Sequence, residues 1–261
     1  MARKLNKPLV GWLTAFGFVV ATAAGVLMVK NLQQTDPAHY VAQAEQLAEQ
    51  EEWVQARNYY HRAYQISGDA RHLVLAGEMA YRRGEEFLAE RDWNDALTVN
   101  PSLIEAHEKL LDMRTEVARL YRGTAAWRRV REQAEKLLEA APDNAKGEHA
   151  LGLALVQLAQ EEAEPDKESE LQREGMEHIR RAVELDPGNV DYTLTLASQA
   201  HRSDHVEEAE RILRELIESH TEPGDDASRV RVAYARFLAT QDRLDEAEET
   251  FAEAESLAGP D

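Results

Sequence analysis

The sequence predicts an all-α protein, an array of about six helix-turn-helix repeats preceded by one transmembrane helix, and three observations carry that prediction. Beyond residue 36 apolar residues recur with a helical period, and no strand-like alternation of useful length interrupts them. Short Gly, Pro, Asp or Asn breaks separate the helical segments. Measured between Gly68, Pro101, Pro142, Pro187, Thr221 and Gly259, they fall 33, 41, 45, 34 and 38 residues apart, which is self-similarity with insertions. Finally, the 22 residues from Pro8 to Val29 contain no charge.

Taken from the N-terminus, residues 1–7 are basic, with Arg3, Lys4 and Lys7 and no acid. Residues 8–29 follow as one apolar stretch. At about 1.5 Å per residue it is long enough to cross a hydrocarbon core of roughly 30 Å. Only Lys30 follows in the linker, residues 30–36, before acidic residues begin at Asp36. The positive-inside bias keeps the N-terminus cytoplasmic and puts the repeats, residues 37–261, on the far side of an inner (cytoplasmic) membrane, in a periplasmic or extracytoplasmic space. A cleaved signal is the alternative, because Ala21-Thr22-Ala23 offers small residues at a peptidase site. The apolar run continues beyond it to Val29, past the usual signal core of about 7 to 15 residues, and this favours an uncleaved anchor.

The repeat units span approximately 37–69, 70–102, 103–143, 144–188, 189–223 and 227–260. The first carries Ala44, Leu47, Trp53, Ala56, Tyr60, Ala63 and Gly68. The second places Leu73, Ala76, Gly77 and Ala80 on one helix, Gly84 in the turn, and Ala89, Trp93, Ala96 and Pro101 on the next helix and its exit. Small residues admit a neighbouring backbone, Trp93 fills the space between helices, and Pro101 stops the second helix. In the third, Val130, Ala134 and Leu137 replace the small-aromatic-small series. The fourth has Leu151, Gly152 and Leu155, then Gly175, Ile179, Ala182 and Pro187. An acidic insert near Glu161 to Glu170 is expected to widen its internal turn. Ala197, Ala200, Ala209, Leu213 and Leu216 mark the fifth; Tyr234, Ala235, Leu238, Ala247, Phe251, Ala254 and Gly259 mark the sixth.

This series of small and aromatic residues resembles the tetratricopeptide repeat over residues 37–260, specifically in the second, fourth, fifth and sixth units and weakly in the third. The resemblance implies a right-handed superhelical array. It also implies a concave groove, lined mainly by each repeat's first helix, that binds extended or helical segments of other proteins. Projecting the repeat register places Arg71, Glu78, Arg82, Lys146, His149, Arg202, Arg229 and Arg236 in that groove. Most are basic and would suit an acidic segment or terminal carboxylate, but the preferred reading is that these side chains pair with neighbouring Glu and Asp on adjacent helices. The Asn and Lys pattern of the family's carboxylate clamps is absent.

Chemistry of other kinds finds little support. His201 and His205 flank Asp204 at a spacing that can suit a metal, but the repeat register puts them across a turn, so no metal site is expected. The sequence holds no His-Glu-x-x-His, no phosphate-binding glycine loop and no Gly-x-Ser-x-Gly, so no catalytic residues and no cofactor are assigned, and the chain is not read as an enzyme. Carboxylate pairs such as Glu207-Glu208 fit helix starts, where they complement the dipole. The lack of cysteine removes disulfides, thiolate ligands, a nucleophilic thiol and cysteine-linked lipid. With 49 acidic against 30 basic residues the net charge is −19, which repels nucleic acid. Arg outnumbers Lys 23 to 7, a bias of GC-rich bacterial genes.

The expectation is therefore a membrane-tethered scaffold of the bacterial envelope, an adaptor or assembly factor whose partners are proteins of unspecified identity. Its alternatives are a self-associating structural module, forming homo-oligomers, and a secreted repeat protein released by signal cleavage.

Overall fold

The computed structural model describes residues 36–121 and 123–258. The basic N-terminus, the apolar stretch 8–29, nearly all of the linker and the Gly259-Pro260 break lie outside the described residues. Within them are twelve α-helices and no strand: α1 Pro37–Glu49, α2 Trp53–Ser67, α3 Arg71–Arg82, α4 Glu86–Val99, α5 Ile104–Tyr121, α6 Thr124–Ala140, α7 Ala145–Ala159, α8 Pro165–Leu185, α9 Val190–Arg202, α10 Val206–Ser219, α11 Asp225–Thr240 and α12 Leu244–Leu257. No helix among the described residues is long and apolar enough to cross a membrane. The described residues divide into two compact units, one ending at Ala106 and one beginning at His107, each considered by itself.

Local chemistry sets the helix ends. Asp36 caps α1 by accepting from the Ala38 N–H at 3.0 Å, and Pro37 occupies the first helical position, where its missing N–H costs nothing. Asn144 caps α7 and Asn189 caps α9, accepting from the N–H of Gly147 and Tyr192. A shared device closes the turn inside four repeats. Glu51, Gly84, Asp204 and Asp242 all adopt left-handed backbone, with φ between 59° and 81°, each two residues before the second helix of its pair. The following N–H then reaches back to a carbonyl of the first helix: Glu52 to Leu47, Glu85 to Ala80, His205 to Ala200 and Arg243 to Leu238, at 2.9 to 3.1 Å. These are the six-to-one bonds that end a helix on a left-handed residue. Only one of the four turns uses glycine.

In the first unit of the fold, Ala44, Ala56, Ala76 and Ala89 are fully buried, and their small side chains let α1 to α4 approach closely. Trp93 lies across α3, donating from Nε1 to the Val74 carbonyl at 3.1 Å. A methyl group at Gly77 would come within 2.4 Å of that Nε1, so the glycine makes room for the indole. One charge lies in this interior. Asp92 is fully buried and accepts two bonds from Arg57, at 2.7 and 2.9 Å, and a contact from His61 at 3.2 Å. Burial pushes its carboxyl up, but the bonds from His61 and Arg57 outweigh that and hold it below the usual range.

The second unit has three apolar clusters among the described residues, the smallest of Val190, Leu216 and Val230. Around α5 to α7 pack Leu111, Trp127, Val130, Ala134, Leu137 and Leu155; from α7 to α12 runs another, including Val156, Ile179, Leu196, Leu213 and Leu238. The closest approach is between α7 and α8, where a methyl group at Gly152 would sit 2.5 Å from the Gly175 carbonyl oxygen. Two expectations from sequence need correction here. The acidic insert leaves a turn of only residues 160–164 and otherwise lengthens α8 to 21 residues. Pro165 starts a helix well, and no further proline follows before Pro187. Phe251 was expected among the packing residues, yet it is 40% exposed, as is Leu244 at 61%, on the same side of α12.

Candidate functional site

Within the second unit the first helices of three successive pairs, α5, α7 and α9, line an open groove of about 1170 Å³. The pairing that builds it follows from the sequence. Each helix turns its small and apolar residues toward its own partner and neighbours and leaves polar residues on the remaining face. From α5 come Asp112 and Arg119, from α7 Lys146, His149 and Gln157, and from α9 Tyr192, Ser198 and Arg202; Trp127 of α6 closes one corner.

Three of the projected groove residues meet here: Lys146, His149 and Arg202. They are not equivalent. Lys146 is held by Asp112 at 2.9 Å. His149 is buried, stacked on Tyr192 with ring centroids 4.6 Å apart, and its Nε2 lies 3.0 Å from Thr195 Oγ1. That hydroxyl donates its own hydrogen to the Asp191 carbonyl at 2.8 Å, so it must accept from the imidazole, which fixes the proton on Nε2. Burial, reinforced by Arg119, pushes the His149 pKa down to about 4, which makes it a neutral ring at pH 7 and not a member of a basic stripe. Arg202 is exposed and makes no ion pair among the described residues.

The other projected residues lie elsewhere. Arg71 pairs with Asp69 at 2.6 Å, and Arg82 pairs with Glu78 at 3.1 Å with its guanidinium over Trp53. These three belong to the first unit. Arg229 pairs with Asp191 and Asp226, and Arg236 is exposed; neither lines the groove. A cation the register did not identify is Arg119, near the C-terminal end of α5, exposed and without an ion pair among the described residues. Its signal was hidden because the third repeat lacks the small-residue series that would set its register. Beside it Leu120 lines the groove while 72% exposed. At the opposite end the potential is negative: burial, then Asp186, Asp112, Glu108 and Asp191, push the Tyr192 phenol up to about 12.

No ring of ligands for a metal occurs among the described residues: no group of three or more His, Cys, Asp or Glu is placed to hold an ion. The groove offers guanidinium groups, carboxylates from Asp112, Glu116, Glu161 and Asp191, amides, hydroxyls and apolar side chains, a set suited to holding a polypeptide.

No known family pattern and no curated protein matches the sequence. Solved structures do match. A thermophilic TPR protein of Thermus thermophilus is 19% identical, with a TM-score of 0.56 over 72% of this chain and 91% of that one. A tetratricopeptide repeat protein of Parabacteroides merdae is 15% identical, with a TM-score of 0.66 over 86% of this chain and 80% of that one. YrrB, described as a TPR protein with an unusual peptide-binding site, is 16% identical, with a TM-score of 0.52 over 76% of this chain and 91% of that one. The helix pairs, their small-residue contacts and these likenesses agree that the chain has the tetratricopeptide-repeat fold.

Proposed function

We propose that the protein is a membrane-tethered, non-catalytic scaffold that grips a segment of a partner protein in the groove across α5, α7 and α9, acting as an adaptor or assembly factor of the bacterial envelope. The observation that carries the groove is the pair of guanidinium groups on Arg119 and Arg202, exposed on its lining without carboxylate partners among the described residues, in a chain of net charge −19. Both favour an acidic side chain or a terminal carboxylate on the partner. The peptide-binding site named for YrrB supports the same use of the fold. The tether rests on residues 8–29 and the basic residues before them, and places the repeats outside the cytoplasm.

A self-associating module is the second reading, favoured by Leu244 and Phe251 exposed on α12. One experiment separates the two. The full chain carrying a C-terminal tag is crosslinked in intact cells, extracted from membranes and analysed by mass spectrometry. The scaffold reading expects a defined envelope protein, lost when Arg119→Glu and Arg202→Glu are combined; recovery of the protein alone supports self-association, and recovery from the soluble fraction after alkaline washing removes the tether.

A further inference from the structure

On the reading that the groove holds a partner segment, we infer that it takes that segment in extended conformation and reads its main chain through Gln199, with Arg202 beside it receiving an acidic side chain. Gln199 is 5% exposed and lines the groove, yet its Oε1 has no hydrogen-bond partner among the described residues. Such a buried acceptor is costly to leave unmatched. Its neighbours on the lining are more accessible: Gln157 is half-buried, and Gln160 and Ser198 are exposed. The side chains of Gln157, Gln160 and Ser198 also line the groove, and none has a hydrogen-bond partner among the described residues. Away from the groove polar side chains such as Asp92 and Glu210 are paired.

A row of amides supplies both donors and acceptors at each position. An extended chain presents the same pairing, an N–H and a C=O at every residue. A helix does not, since its backbone groups are satisfied internally except at its ends. The last torsion of Gln199 is soft, so its carbonyl can turn toward an incoming N–H. The arrangement also orients the ligand. Arg119 and Arg202 stand at the C-terminal ends of α5 and α9, where Leu120 adds an exposed apolar contact and Glu116 and Glu161 also line the groove, whereas Asp112 stands midway along α5 and Asp191 at the start of α9. The fitting segment thus carries an acidic side chain followed or preceded by an apolar one on the arginine side.

The test is a pool of fluorescent twelve-residue peptides, randomised except for one central Glu-Leu pair, selected on the intact protein and remade as individual binders. For the tightest binder, replacing the main-chain N–H groups around the pair by N-methyl groups is expected to weaken binding about tenfold or more. Gln199→Leu is expected to weaken it similarly while raising the thermal midpoint of the free protein, because the variant removes the unmatched acceptor. A merely structural role for Gln199 would not produce opposite changes in affinity and stability. N-methyl peptides and Gln199→Leu that bind as well as their parents overturn the main-chain reading, and so does selection of peptides that are helical when bound, by circular dichroism. If binding survives those changes but is lost in Arg202→Glu, only the extended-chain inference fails. If the intact protein selects no peptide, or Arg119→Glu with Arg202→Glu leaves selection unchanged, the groove reading fails as well.

Discussion

Replacing Gly152 by alanine is expected to destabilise the protein by about 2 kcal/mol, against the propensity of its helix. Alanine in a helix interior gains about 1 kcal/mol over glycine. The added methyl carbon, however, would lie 2.5 Å from the Gly175 carbonyl oxygen, 2.7 Å from Ile179 Cγ1 and 2.9 Å from the Ile179 nitrogen. Two of these atoms are backbone, so no side chain can swing aside, and α8 has to retreat from α7 by most of an ångström. Ile179, Ala182 and Val156, all buried, then lose contact across the seam. A gap of that size forfeits roughly a quarter to a half of each dispersion contact, and overpacking of this kind costs about 1 to 3 kcal/mol, occasionally more. In a domain this long the net loss lowers the melting midpoint by about 4 to 8 °C. Thermal unfolding followed by circular dichroism measures it, with Gly188→Ala as control, since a methyl group there meets nothing nearer than 3.9 Å. Gly175→Ala faces the reciprocal clash, with the Gly152 carbonyl at 2.8 Å, and the double variant should cost less than the sum because one separation relieves both. A Gly152→Ala protein as stable as the control would refute the close approach. Because α7 carries Lys146, His149 and Gln157, the shift should also weaken whatever the groove holds.

Three further outcomes follow from the same reasoning. Asp92→Asn leaves Arg57 with a neutral partner in the interior of the first unit and should cost about 3 kcal/mol by chemical denaturation, far more than Asp69→Asn at its exposed pair. Glu51→Gly should stabilise by up to about 1 kcal/mol, because a left-handed glutamate is strained by more than a glycine's extra entropy costs; a loss would show that φ of 60° is not maintained. The His149 pKa is lower folded than unfolded, so the unfolded chain binds the proton first as pH falls. Its contribution is complete above the unfolded value near 6.5 and is lost progressively between there and about pH 4, amounting to roughly 3 kcal/mol. His149→Gln should flatten the stability profile in that window, and an unchanged profile would show that the ring is not buried in neutral form.

How legible the molecule was in its sequence varies with the kind of signal. The helical period, the Pro and Asn breaks and the small residues at Ala44, Ala76, Gly77, Ala89 and Ala197 register directly because burial and close approach leave a residue little choice of size. The left-handed turn residues did not register. Gly84 announces its turn, but Glu51, Asp204 and Asp242 adopt the same conformation with side chains that carry no such mark, the six-to-one bonds supplying the compensation. The acidic insert was misjudged for a similar reason: polarity marks a solvated surface, which a long helix such as α8 offers as readily as a loop. The groove was legible only in part. Register placed Lys146, His149 and Arg202, but burial changed the character of His149, and ion pairing, which depends on side chains from other helices, absorbed Arg71, Arg82 and Arg229. Gln199 gave no signal, since an unmatched acceptor is a property of surroundings and not of residue type.

That distinction between paired and unpaired cations decides which residues deserve weight in recognition. In a chain with 49 carboxylates most arginines find one nearby, and an exposed pair of that kind contributes only about 0 to 1 kcal/mol. A ligand carboxylate that displaces Asp191 from Arg229 exchanges one such pair for another and leaves Asp191 unpaired, so the exchange yields almost no affinity. Arg119 and Arg202 have no carboxylate partner among the described residues to surrender, and a carboxylate arriving there gains its interaction outright. The same surplus of acid makes the surface a poor attractor for anions at long range, whereas at short range the groove presents an acidic segment with two guanidinium groups, Arg119 and Arg202, that remain open among the described residues. Affinity should therefore rise with ionic strength at first, as the general repulsion is screened, and fall only when the local pairs are screened too. A simple monotonic weakening with salt would mean that attraction by the whole surface, and not these two residues, brings the ligand in.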